Sequence, residues 1–431
     1  MSLELMSVTL LVGLVLLLAF GVEIFVAIGL VASLGLLLFV GQPIQQFAFS
    51  GWDLMNSFTM TAVPLFIFMG AIFANTGVIR TLFLGADKLI GNLPGGVACS
   101  VLGANAIFGA ISGSSIAAAA TFGKIAFPQM EESGYDPRLG LGSIAVGGTL
   151  SVLIPPSIIL VVYGGWQEVS VAQLFAGGMI PGIILASFLV LTVVVQVKLN
   201  PSLAPQALKF TLRERLTALI EMLPFLAVIV IVLGVIFAGV MTPTESAAMG
   251  ALLSIVLAVA YHRITFAAFK ESMWTAVKIT AMIAFVMFTA RVLGQVFQYI
   301  GLTEAFSAFM VQLPFGRYGI FAIICVMYLI MGMFFDSFSM MVLTLPFVSP
   351  LISELGFSLI WFGVVFVILA EIGLVTPPFG LNLFVLHGVV PKHDIMTIVI
   401  GTLPFLLPML AMVVILTAFP KLVLWLPGIL Y

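Results

Sequence analysis

The sequence predicts an all-α polytopic membrane protein built as an inverted repeat. Three observations point there: charge is almost absent, about ten apolar stretches are long enough to cross a bilayer, and the two halves match at a constant offset of 222 residues. Of 431 residues, 62% are hydrophobic and only 7% are charged, where soluble domains carry about a quarter. The net charge of -2 comes from 15 basic and 17 acidic side chains, and the basic ones sit mostly in loops rather than in one patch. No basic patch forms, which argues against nucleic acid as a partner. The two cysteines, Cys99 and Cys325, both lie in apolar segments, so neither a disulfide scaffold nor a cysteine metal site is indicated. The first apolar run has no basic leader and no small-residue cleavage site, and it reads as a retained span.

A hydrocarbon core of about 30 Å needs roughly 20 apolar residues per helix. In order, the predicted spans are 5–20, 23–40, 60–77, 138–165, 173–197, 222–240, 245–261, 276–298, 358–388 and 397–424. Two further apolar regions, 95–130 and 317–352, have polar or glycine-rich centres, ISGSS and FFDSFS. Their arms read as too short to span, which predicts two re-entrant hairpins. In MTPTE at 241–245, Thr242 is placed as a helix cap with Glu245 in capping-box register.

Eleven basic residues share one face if the hairpins return to the side they entered from, and only Arg317 and Lys421 take the other. That asymmetry predicts both termini on the periplasmic side. The basic segment 198–215 divides the chain into repeats 1–219 and 220–431. Loops 41–58, 166–172 and 353–357 then face outward as possible docking surfaces. Arg291 lies within a span and either pairs with Glu304 or an anionic substrate, or snorkels to the surface.

Laying 109–165 over 331–387 places Ser114 on Asp336, Ser115 on Ser337, Pro128 on Pro350, Gly134 on Gly356, Thr149 on Glu371, and Pro155-Pro156 on Pro377-Pro378, without a gap. Five crossings per repeat is an odd number, so the second half is inverted. Inverted repeats are typical of secondary transporters, whose sites lie at the repeat interface near mid-membrane. Proline cannot donate a backbone hydrogen bond and clashes with the preceding turn. The stretches GGTLSVLIPPS and EIGLVTPPFG therefore predict two broken helices, parted around 148–156 and 373–378. Irregular backbone at that depth must line something polar. Two oxygen-rich sites for a hard monovalent cation such as sodium follow. One comprises Ser112, Ser114, Ser115, Gly148 and Thr149, and the other Asp336, Ser337, Gly373 and Thr376. Half-helix ends also offer donors to an anion, and the candidate substrate contacts are Gly113, Ser114, Pro155, Pro156, Ser339, Pro377, Pro378 and Asn382. Glu371 either supports the broken helix or joins an ion site.

FGAISGSSIAAAA, GYDP with GGTLSVLIPPSIILVVYG, GVMTPTESAA, and EIGLVTPPFGLNLFV resemble signature segments of the large membrane subunit (M, DctM-like) of tripartite ATP-independent periplasmic (TRAP) transporters. The resemblance extends over nearly the whole chain. It implies sodium-coupled uptake of an organic acid across the bacterial inner membrane. A periplasmic solute-binding protein (DctP-like) would deliver the substrate, and a small four-helix membrane subunit (DctQ-like) would hold the permease. It also implies an elevator architecture, in which a transport domain of about 95–165 and 317–388 slides against a scaffold, and it carries the sodium roles onto the same residues. The alternative is a self-sufficient sodium/dicarboxylate symporter of the same architecture. Catalysis is not expected, because Ser114 has no histidine near it.

Overall fold

The computed structural model describes residues 2–41, 45–207 and 209–431, and every element among them is helical. The first half runs α1 (Leu3–Ala19), α2 (Ile24–Gly35, prolonged by a π-turn over Leu36–Val40), α3 (Gln45–Met55), α4 (Ala62–Asn75) and α5 (Val78–Ile90). The first hairpin follows as α6 (Gly96–Ser112) and α7 (Ser115–Ile125), then the short α8 (Phe127–Glu132), the broken pair α9 (Pro137–Leu153) and α10 (Ile158–Gln167), and α11 (Val171–Leu199). The second half repeats the order: α12 (Leu212–Phe237), α13 (Pro243–Ala260), α14 (Phe266–Tyr299) and α15 (Leu302–Val311), then the hairpin α16 (Gly316–Gly332) and α17 (Ser337–Glu354). The broken pair α18 (Leu359–Leu374) and α19 (Leu381–Val389) comes next, followed by α20 (Ile395–Ala418) and a terminal α21 (Lys421–Leu430).

The packing repeats with the sequence. α13 lies on α4 as α2 lies on α14, α6 lies on α9 as α16 lies on α18, and α20 crosses α9 as α11 crosses α18. Equivalent junctions share backbone geometry: Gly77 and Gly301 have φ of 72° and 76°, and Gly134 and Gly356 have 83° and 75°. Only glycine adopts these values without a Cβ penalty, so the chain reverses at the same two positions in each half. Both Pro-Pro bonds are cis.

All ten predicted spans are helical, but their lengths divide. α11, α12, α13, α14 and α20 are each long and apolar enough to cross alone, as is α17. α9 and α10 qualify only as a pair bent by 40°, and α3 with α4 as a pair bent by 67°. The expectation of short hairpin arms is therefore corrected for one arm, α17, whose 18 residues are long and apolar enough to cross alone. The predicted loop 41–58 is corrected too: residues 42–44 lie outside the described residues, and 45–55 form α3. Gln46 Nε2 and Ser50 Oγ each donate to Gln295 Oε1 at 3.1 Å, and Arg291 meets Asp53 at 2.7 Å. Arg291 thus ties α3 to α14, rather than reaching Glu304. Loop-like composition hid α3 because its polar face is spent on these contacts. The Thr242–Glu245 capping box is present, and a second one, Thr211–Glu214, starts α12 inside the segment read as a basic loop.

Candidate functional site

The two hairpin tips meet. α6 ends at Ser112 on Gly113, whose φ of 59° turns the chain, and Ser114 caps α7 by accepting from the Ala117 N–H at 3.3 Å. Gly113 is needed for space as well as turn: a Cβ there would stand 3.0 Å from the backbone nitrogen of Ile158, at the start of α10. In the second hairpin Asp336 is the cap of α17. Its Oδ1 accepts the N–H groups of Phe338 and Ser339 at 3.0 and 3.1 Å, and its Oδ2 accepts the Ser339 hydroxyl. Serine and aspartate are chosen for the same reason, since each offers an oxygen to the unpaired N–H groups of a helix start.

Between the tips lies a cavity of about 510 Å³, lined from one side by residues 112–117 and from the other by Asp336, Ser337 and Phe338. Glu371 forms part of the wall, and α4 and α14 close it with Gly70 and Ala74 facing Thr275 and Ile279. This volume falls in the range of sites for small organic ligands. The half-helices α7 and α17 both begin at this cavity, so their N-terminal N–H groups and positive dipole ends look into it. Among the described residues that line it, only Asp336 and Glu371 are ionisable.

The breaks are narrower than the sequence suggests. α9 stays helical through Leu153, so Gly148 and Thr149 stand within it rather than on unwound backbone. Thr149 Oγ1 donates to the Val146 carbonyl at 2.6 Å. The interruption covers 154–157, because the residue before a proline is driven to extended geometry and Ile154 has ψ of 122°. The second break likewise starts late: Gly373 is helical, and the unwound residues are 375–380, with Thr376 among them donating to the Ile372 carbonyl at 2.6 Å. The glycines misread as break points serve close packing instead. A Cβ on Gly148 would lie 2.7 Å from the Ser115 carbonyl oxygen, and Gly332 lies against the Gly373 backbone.

Of the predicted ion ligands, Ser112, Ser114, Ser115, Asp336 and Ser337 line the common cavity; Gly148 and Thr149 stand within α9, Gly373 in the last turn of α18 and Thr376 on the second break, and these four are not among the lining residues. Of the predicted substrate contacts, Gly113 and Ser114 line it. Pro155 and Pro156 are buried behind it, Ser339 is engaged with Asp336, Pro377 and Pro378 lie on the second break, and Asn382 is wholly buried in the first turn of α19. Sequence reasoning missed the scaffold wall of α4 and α14. Its signal lies upstream of the matched segments, where an offset of 224 lays Gly70 on Gly294, and Gly70 is where α4 touches the backbone of Ile111 and Ser112.

Two inverted halves enclosing a cavity between helix breaks define a membrane transport protein of the inverted-repeat class. The family model described as the DctM component of the tripartite ATP-independent periplasmic transporter matches residues 11–422, and the chain belongs to that family. The C4-dicarboxylate TRAP transporter large permease protein DctM of Pseudomonas aeruginosa is 33% identical, over 93% of this chain and 94% of that one. The isethionate TRAP transporter permease protein DctMQ of Oleidesulfovibrio alaskensis is 32% identical, over 95% of this chain and 64% of that longer protein. The sialic acid TRAP transporter large permease protein SiaM of Vibrio cholerae is 29% identical, over 86% and 87%. Among solved structures, the Alcanivorax borkumensis YdaH transporter superposes with a TM-score of 0.58 at 14% identity, covering 85% of this chain and 86% of that one. That likeness concerns the fold alone. The family is one of solute transport, and it implies a periplasmic binding protein and a small membrane subunit.

Proposed function

We propose that this chain carries out sodium-coupled secondary uptake of an organic acid across the bacterial inner membrane, by an elevator movement of the hairpins and broken helices against the remaining spans. One observation carries the reading: both hairpin tips, with their serine hydroxyls and the Asp336 carboxylate, converge on a single cavity walled on its far side by α4 and α14. A cavity shared between a hairpin unit and a separate helical wall is the boundary along which such a unit would slide. The N-termini of α7 and α17 suit an anion, and sodium bound among hydroxyl and carboxylate oxygens would offset its charge. Relatives named for C4-dicarboxylate, isethionate, sialic acid and 2,3-diketo-L-gulonate all concern anions, which supports an organic acid here. A DctP-like periplasmic protein would deliver it, and a DctQ-like four-helix subunit would hold the scaffold; the fused DctMQ relative fits the second. The Lys and Arg asymmetry supports an orientation with both termini on the periplasmic side.

The test is uptake by liposomes holding this chain and its small subunit. Accumulation of the acid is expected only with an inward sodium gradient and the loaded binding protein together. Accumulation without a sodium gradient would overturn the coupling, and accumulation without the binding protein would assign a self-sufficient symporter.

A further inference from the structure

The two tips are not equal partners for an anion. Both hairpin helices point their positive ends into the cavity, but the N–H groups they have left differ. In α17 the N–H groups of Phe338 and Ser339 are bonded to the Asp336 carboxylate, which leaves Ser337 alone and sets a negative charge on that helix start. In α7 the cap takes only Ala117, and the N–H groups of Ser115 and Ile116 meet no acceptor among the described residues. A helix start with open N–H groups holds an anion by hydrogen bonds as well as by its dipole, whereas one that carries its own carboxylate has little of either left. The cavity therefore offers one seat for a carboxylate, at the first tip.

The rest of the lining offers no second seat. Among the described lining residues there is no lysine, arginine or histidine. Glu371, 2% exposed, adds a further carboxyl beside the second tip, where Ser337 Oγ donates to its Oε1 at 3.3 Å and Oε2 has no partner. Sodium ions at the two predicted sites would offset these two acidic groups and leave no positive charge over. The wall facing the tips is built from Ile67, Gly70, Ala71 and Ala74 of α4 with Ile279 and Met282 of α14, and among its described residues only Thr275 is polar. A second carboxylate turned to that wall would exchange its water for a single hydroxyl, which is strongly unfavourable. A hydrocarbon group turned the same way gains from burial.

We infer that the acid carried is a monocarboxylate with an apolar body. Its carboxylate sits on the Ser115 and Ile116 N–H groups, and its hydrocarbon part lies against α4 and α14, where the small side chains of Gly70, Ala71 and Ala74 leave it room. This rests on the organic-acid reading and narrows it.

The test uses the purified full chain in lipid nanodiscs with sodium chloride, and takes the half-saturating concentration of each acid from the rise in unfolding temperature. Acetate, butanoate and hexanoate form the apolar series; hexanedioate matches hexanoate in length and adds a second carboxylate. Half-saturation is expected to fall about three- to fourfold for each added methylene, and hexanedioate to need about tenfold more than hexanoate. Ala74→Leu fills the wall and should weaken hexanoate about tenfold more than acetate. Thr275→Lys gives the wall a positive charge and should bring hexanedioate level with hexanoate or past it. Either variant decides if the other does not fold. A flat series, or hexanedioate binding the wild-type chain as tightly as hexanoate, would overturn the monocarboxylate assignment and leave sodium-coupled uptake standing. A wild-type chain whose unfolding temperature none of the four acids moves would defeat the organic-acid reading, and this inference with it.

Discussion

Asp336 illustrates how one side chain can serve the fold and the site together. Its two oxygens satisfy the start of α17 at the half-buried edge of the cavity, and leaving such an N–H unpaired costs about 1–3 kcal/mol where it is buried. Asparagine caps helices about as well as aspartate, so Asp336→Asn should leave the protein folded while deleting the charge. Sodium-dependent uptake in liposomes should then be abolished at an unchanged unfolding temperature. Ser114→Ala removes the cap of α7 as well as a cavity oxygen; it should abolish uptake and lower stability by about 1 kcal/mol, which thermal unfolding reads. Full uptake by both variants would exclude the two tips from ion binding.

At the scale of elements, the hairpins are seated on the broken helices through backbone contact. Gly109 of α6 lies on the backbone of Ser151 in α9, and Gly142 of α9 lies on Gly401 of α20, so any Cβ would collide with main chain that cannot yield. In lipid, where apolar burial gives little drive to associate, such close approach is a main source of cohesion. Gly109→Val should cost about 1–3 kcal/mol by overpacking, seen as a lower unfolding temperature in detergent. A wild-type midpoint would mean that α6 is free to move away from α9. The existence of these elements was legible in the sequence, because proline pairs and polar tips at a fixed offset leave few alternatives. The extent of the breaks was not. Gly147 and Gly148 have the same letters whether they unwind a helix or let a neighbour close in, and only the position of Ser115 and Asn105 across from them decides. The helix α3 was hidden for a similar reason, its partners Arg291 and Gln295 lying far away in sequence.

Over the whole molecule, the halves are joined by cross-repeat ties. Tyr163 of α10 donates its hydroxyl to the Leu359 carbonyl of α18 at 2.7 Å inside the core. Outside the spans, Glu131 Oε1 of α8 meets Lys392 Nζ at 2.7 Å and His393 Nε2 at 3.1 Å in the segment between α19 and α20. The hydrogen bond from Lys392, and then that from His393, hold the Glu131 carboxyl below its ordinary value of 4.5. A depressed carboxyl stabilises the fold above the unfolded value and ceases to do so as pH falls through the lower folded one. Unfolding temperature should therefore decline below about pH 4.5 in the wild type, and less steeply in Glu131→Gln. Equal slopes would show that this tie does not hold the halves together.

By itself the sequence determined the class, the inverted repeat and the place of both hairpin tips, since each follows from local chemistry: hydropathy, proline's missing donor, glycine's freedom, and registry between halves; the family came from the resemblance of its signature segments. Only the tertiary structure decided which oxygens are free. Both oxygens of Asp336 accept from its own helix start, whereas Glu371 keeps an oxygen without a partner between two hairpins, because hydrogen-bond satisfaction depends on neighbours that the chain brings together from as near as Ser337 and as far as Ser115.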